Sequence, residues 1–331
     1  MRSSRALGRK LAVALCASGL TLAAFACGSR TGLTADGPWD PEEEDSAVDS
    51  VRRLDAQVRD AQDPLPGLDA KPDVIVDQRD CRDPSETLIY VIDDDNQLSA
   101  FDPRTLTGFA IGPILCPSTP GTTPFSMAVD RQGVAYVVFS DGELYRVSTR
   151  TAACAATGFQ ANQEGIETFG MGFASNTGGA AETLFISPSE RGGSGTGFGP
   201  GELGQIGLPS YDLDVTAPFD QDVRGAELTG TGDGRLFAFY SRESAFTGTF
   251  IGQVDKDTAE IVAEIPLPSV QLGSGWAFAF WGGDFFTFSG DRSSQTSVVT
   301  RVRPSDGSVT EVGRVPGNIV GAGVSTCSPV E

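Results

Sequence analysis

Near the C-terminus, Ile-Val-Gly-Ala-Gly-Val, residues 319–324, reads as a β-strand of small and branched residues. Only Ser-Thr-Cys-Ser-Pro-Val-Glu, 325–331, follows it. An isolated strand buries too little to be stable, so its partner must lie elsewhere in the chain. Four earlier segments share its small-residue character: "FSMAVD" (125–130), "FGMGFA" (169–174), "RGAELT" (224–229) and "WAFAFW" (276–281). Each precedes a second apolar run: "AYVVFS" (135–140), "TLFISP" (183–188), "LFAFYS" (236–241) and "FFTFSG" (285–290). A fifth such run, "LIYVID" (88–93), has no small-residue segment before it. The orphan 319–324 fills that gap.

Each second run leads through a turn to a third strand: "LSAFDP", "LYRVST", "LGQIGL", "FIGQVD" or "VVTRVR". A further turn and a more polar outer strand follow. Four strands recurring roughly every 50 residues are the pattern of a β-propeller. The reading is all-β: five four-stranded blades over residues 81–331, closed where the N- and C-terminal strands share one blade. Six blades is the alternative, if two short units are merged. The turn "IDDDNQ" (92–97) first suggests a cation loop, but it aligns with "FSDGEL" of the next unit. It lacks the D-x-D-x-D-G spacing and distal glutamate of a calcium loop, so it reads as a hairpin turn.

Composition fits this architecture. The 331 residues include 41 Gly and 20 Pro, as many short strands and turns require. The formal charge of −20 repels a phosphate backbone, which argues against nucleic acid as a partner. The chain has no histidine, which removes His-based triads and His-containing metal sites.

Residues 1–26 carry a basic start (Arg2, Arg5, Arg9, Lys10) and the largely apolar run "LAVALCASGLTLAAFA", the pattern of an export signal. "AAFACGS" around Cys27 resembles the lipobox of bacterial lipoproteins, with Ala24 where Leu is usual. That resemblance implies lipidation of Cys27 and a membrane anchor, and Gly28 after the cysteine resembles outer-membrane sorting. Ala24-Phe25-Ala26 also fits ordinary signal cleavage, which would give a periplasmic or secreted soluble protein. Residues 27–80 are acidic and nearly devoid of aromatics, and read as a disordered tether. The turn "DPRTLTG" resembles the D-x-x-T-G hairpins of PQQ-like and NHL-like propeller repeats. The whole thus resembles a bacterial lipoprotein with a β-propeller domain, a likeness that specifies architecture and not activity.

Beyond Cys16 and Cys27, four cysteines remain, and an exported chain would pair them in one of three ways. Closure of the ring favours Cys81–Cys327, which leaves Cys116–Cys154. Chemical signals are sparse. The glycine-rich stretch 192–201 lacks a phosphate-loop motif and reads as a loop insertion. Aligning the inner strands gives a column of Ala128, Gly172, Glu227, Ala279 and Ala322, in which Glu227 is the one carboxylate. A solvated channel residue or a partner of Arg224 is the simpler account of it. Glu164 and Glu167, before the third blade, would have to join it to make a ligand pocket, calcium being the cation such carboxylates would take.

Two functions follow. The leading one is a non-enzymatic binding module in the cell envelope, monomeric, with no cofactor and a protein or glycan partner. The alternative is a carboxylate- or calcium-dependent glycan hydrolase or lyase working in the central funnel, as five-bladed glycosidases do.

Overall fold

The computed structural model describes residues 81, 87–176, 181–189, 201–242 and 248–331. The expected signal, Cys27 and tether (1–80), and most of the 189–202 insertion, lie outside the described residues. Blade one contains β1 (Ile89–Asp93), β2 (Gln97–Asp102) and β3 (Thr107–Pro113). Blade two contains β4 (Pro124–Val129), β5 (Val134–Phe139), β6 (Leu144–Ser148) and the short β7 (Cys154–Ala156). Blade three contains β8 (Phe169–Ser175), β9 (Glu182–Pro188), β10 (Glu202–Gly207) and β11 (Asp212–Pro218). Blade four contains β12 (Arg224–Gly230), β13 (Leu236–Ser241), β14 (Thr249–Val254) and β15 (Ile261–Leu267). Blade five contains β16 (Gly275–Trp281), β17 (Asp284–Asp291), β18 (Thr296–Arg303) and β19 (Ser308–Pro316). The last strand, β20 (Ile319–Gly323), returns to blade one, whose order is β20-β1-β2-β3. The fold is a five-bladed propeller of four-stranded antiparallel sheets. No described helix is long and apolar enough to cross a membrane.

Pairing of Tyr90, Val91 and Ile92 with Gly323, Ala322 and Gly321 closes the ring. Disulfides Cys81–Cys327 and Cys116–Cys154 join distant parts of it, with sequence separations of 246 and 38. The first ties the chain's entrance to blade one to the segment leaving β20. The second ties the end of blade one to the outer strand of blade two.

The core explains why the second strands are almost wholly apolar. Each blade packs a face on both neighbours, and five buried clusters fill the five blade-to-blade interfaces. Ile89 and Val91 point into the cluster shared with blade five, whereas Ile92 points into that shared with blade two. Likewise Phe237 and Phe239 face blade five, and Ala238 and Tyr240 face blade three. A strand buried on both faces shows no polar alternation. Edge-to-face aromatic pairs such as Phe237–Phe285 (4.8 Å) and Phe101–Phe288 (5.7 Å) add directional packing.

The inner strands are made of small residues because they nearly touch. A Cβ on Gly172 would come within 2.6 Å of the Leu228 backbone, and one on Gly321 within 2.6 Å of the Met127 amide. Side chains have little room there. Any polar group at that level must find its partner inside the protein.

Candidate functional site

Inner strands run from a front face, where the chain enters each blade, to a back face, where it turns into the second strand. Glu227 lies midway along β12 and is only 4% exposed. Its Oε2 accepts a hydrogen bond from the Ser126 hydroxyl of β4 at 2.7 Å. Ser126 Oγ in turn accepts the Met171 amide of β8 at 3.2 Å. Blades two, three and four therefore meet at one side chain. Burial pushes the Glu227 carboxyl well above its ordinary range, against the opposing pull of the Ser126 hydroxyl and the Met171 amide. The burial that raises it disfavours the charged form.

A β-bulge puts it there. Arg224 pairs with Ser241 and Glu227 with Phe239, so three residues of β12 span two of β13, with Gly225 at a φ of 58°. Such a bulge reverses the side to which the following residues point. The structure also shifts the column expected from sequence. Gly172 lies against Leu228 and Thr229, and it is Gly170 that lies against Ala226 and Glu227. Small-residue strands give an ungapped alignment little to hold its register, and the bulge adds a residue besides.

Glu164 and Glu167 do not share this place. Both are exposed. Glu164 rides on the 3-10 turn Gln163–Gly165, which is fastened to the outermost strand of blade three. Gln163 Nε2 donates to the Tyr211 carbonyl at 2.9 Å, and its Oε1 accepts the Leu213 amide at 3.1 Å. The expected three-carboxylate pocket is therefore not formed: one acid is sealed on an innermost strand and another is held at an outer edge. Among the described residues, no group of three or more His, Cys, Asp or Glu side chains is placed to hold a metal ion.

The Asp93–Asn96 turn is likewise committed to protein. Asp93 Oδ1 accepts the Asp95 and Gln97 amides at 3.0 and 2.8 Å, and Asn96 takes a left-handed φ of 67°. Asp94 accepts from Asn318 Nδ2 at 2.9 Å and pairs with Arg292 at 2.9 Å, joining blades one and five.

On the back face the C-terminal segment does something the sequence did not announce. After β20, residues 325–331 touch each of the other four blades. Ser325 Oγ donates to the Arg131 carbonyl of blade two at 3.4 Å. Thr326 Oγ1 donates to Glu182 Oε2 of blade three at 2.8 Å. The Thr326 carbonyl lies where a Cβ on Gly232 of blade four would fall. The Gly282 amide of blade five donates to the Pro329 carbonyl at 2.9 Å, and Val330 packs on the cluster between blades four and five. With Cys327 bonded to Cys81, the segment caps the back end of the axis.

Beneath this cap is an acid pair that sequence reasoning missed. Glu182 Oε1 accepts the Arg131 amide at 2.6 Å. Burial, then the charge of Asp130, raises Glu182 to about 8 against the pull of the Arg131 amide and Thr326. Burial raises Asp130 to about 6, opposed by the Val134 amide and the Arg146 charge. Lys256 reaches across from blade four to donate to the Ser175 carbonyl at 2.9 Å. The available signal was a glutamate opening a second strand with an apolar centre, Leu184-Phe185-Ile186.

The class defined by this geometry is a five-bladed β-propeller whose inner strands are bridged by Glu227 and Ser126 and whose back face is crossed by the C-terminal segment. No family model and no curated protein matches the chain. Among solved structures it is similar to a chain of a nidogen/laminin complex: 11% identity over 73% of this chain and 99% of that one, TM-score 0.46. It is also similar to TolB from Acinetobacter baumannii: 12% identity over 70% of this chain and 52% of that one, TM-score 0.38. A protein of unknown function from Bacteroides caccae shows 13% identity over 70% and 73%, TM-score 0.35. These are likenesses of fold.

Proposed function

We propose that the chain is an exported cell-envelope protein whose propeller is a non-enzymatic binding module, presenting its outer surfaces rather than its axis to a protein or glycan partner. The observation that carries this reading is the use of the inner-strand carboxyl and the back face for protein contacts: Glu227 bonded to Ser126, and residues 325–331 across the back face. In a propeller enzyme those positions would be open to substrate, with a carboxylate free to act. Here the axial carboxyl serves blade-to-blade contact.

The export half of the proposal rests on the sequence. A basic start, an apolar run and a cysteine outside the two disulfides support lipidation at Cys27 and anchoring in the outer membrane. Processing that is blocked by globomycin, with an acylated Cys27 in the mature protein by mass spectrometry, is the expected result. A mature protein starting at an unmodified Cys27 would contradict it. The binding half is tested by titrating envelope oligosaccharides and candidate envelope proteins while product formation is followed by mass spectrometry. Saturable binding without turnover is expected. Cleavage of any glycan, lost on Glu227→Gln, would establish the hydrolase reading instead.

A further inference from the structure

The capping residues 325–331 belong to no strand, since β20 ends at Gly323. They are held on the back face by the hydrogen bonds of Ser325, Thr326 and Pro329 and by the packing of Val330. Other features of the seat oppose them. Ser328 is 4% exposed, and its Oγ has no hydrogen-bond partner among the described residues. Arg131, whose carbonyl meets Ser325 Oγ and Cys327 Sγ, has its Nε sealed from solvent in the same way. Two acids, Asp130 and Glu182, lie close enough under the cap to oppose each other's ionisation. Buried polar atoms without partners penalise the seated state. The cap's own contacts are therefore a weak hold, and the Cys81–Cys327 bond at its middle supplies the rest. Cys116–Cys154 differs, because it joins segments that are fixed without it. Ile114 and Ala152 are buried in one cluster, and Cys154 opens β7, which pairs with β6.

We propose that Cys81–Cys327 is a redox lock: reduction by a dithiol frees residues 325–331 from the back face while the β20–β1 closure of the ring stays in place. Cys81 is partly exposed and Cys327 only 8% exposed, so attack falls on Cys81 Sγ. A thiolate of the dithiol bonds to Cys81 Sγ, and the S–S bond breaks with its electron pair on Cys327 Sγ, which takes a proton from water. The second thiol, as thiolate, then displaces Cys81 and closes the dithiol into its own disulfide. Two electrons have passed to the protein, and both cysteines are thiols. Release lets water reach Ser328, Arg131, Asp130 and Glu182, which removes the penalties of the seat. β20 stays because Ile319, Gly321, Ala322 and Gly323 pair with β1, and Ile319 and Ala322 are buried against blade five. The lock is independent of what the outer surfaces bind.

Hydrogen exchange of the folded protein before and after dithiothreitol tests this, with alkylation and mass spectrometry reporting which cysteines are reduced. Once Cys81 and Cys327 are reduced, the Gly282 and Ser328 amides, which donate to Pro329 and Ser325, should exchange about tenfold faster or more. The β20–β1 amides should keep their protection, and reoxidation should restore the slow exchange. A variant carrying Cys116→Ser and Cys154→Ser should respond in the same way, since that pair holds no part of the cap. Unchanged exchange at Gly282 and Ser328 with the bond reduced would overturn the proposal. So would β20–β1 protection lost together with theirs, or a Cys81–Cys327 bond that dithiothreitol leaves intact in the native protein.

Discussion

Glu227 and Ser126 are 101 residues apart in sequence and meet at 2.7 Å across the inner strands. That pair fixes how each should respond to substitution. Ser126→Ala removes the hydroxyl that donates to the Glu227 carboxyl and accepts the Met171 amide, a buried link whose loss costs about 1–3 kcal/mol. Glu227→Gln keeps an oxygen that accepts from Ser126 and resembles the neutral acid in shape. Thermal denaturation at pH 7 should therefore show a clear loss for Ser126→Ala and little or none for Glu227→Gln. The reverse order would mean that the carboxyl is ionised and that its charge matters. The sequence singled out Glu227 as the odd residue in its segment. It did not reveal Ser126, because a serine among small inner-strand residues has nothing to distinguish it until the blades are brought together.

At the scale of elements, the C-terminal segment joins two roles, closing the ring through β20 and capping the axis through residues 325–331. The strand was legible, because Ile-Val-Gly-Ala-Gly-Val matches the inner strands of the other blades and only blade one lacked one. The cap was not, because seven short polar and apolar residues carry no periodicity. Their position comes from long-range contacts with Arg131, Glu182, Gly232 and Gly282. Cys327→Ser should destabilise the protein by about 2–4 kcal/mol, since the lost cross-link joins residues 246 apart. Native-state hydrogen exchange should rise at the Cys327 and Gly282 amides before it rises in the β17–β18 pairs. Uniform exchange through the whole chain would show that the cap is not a separate element.

At the scale of the whole molecule, the described acids with the largest upward shifts, Glu182, Asp130 and Glu227, favour a protonated folded state. Their folded values exceed those of the unfolded chain. Their contribution is therefore fully present below the ordinary carboxylate range, and is lost as pH rises through about 6 for Asp130 and about 8 for Glu182. The melting temperature should accordingly fall between about pH 5 and pH 8, and Glu182→Gln should flatten the upper part of that slope. A melting temperature that rises steadily to pH 8 in the parent protein would contradict these assignments.

Blade number, closure and the all-β class were readable because they follow from repetition of apolar strands. The axial chemistry was not, since an acid in an alignment column gives neither its register nor its partner. That chemistry decides between a scaffold and an enzyme. The most direct measurement is a paired calorimetric titration of the parent protein and Glu227→Gln with calcium and with envelope oligosaccharides. The account predicts that any ligand bound by the parent binds the variant within about twofold, with no heat of turnover in either. Loss of binding or of turnover in Glu227→Gln alone would place function at the axis and contradict it.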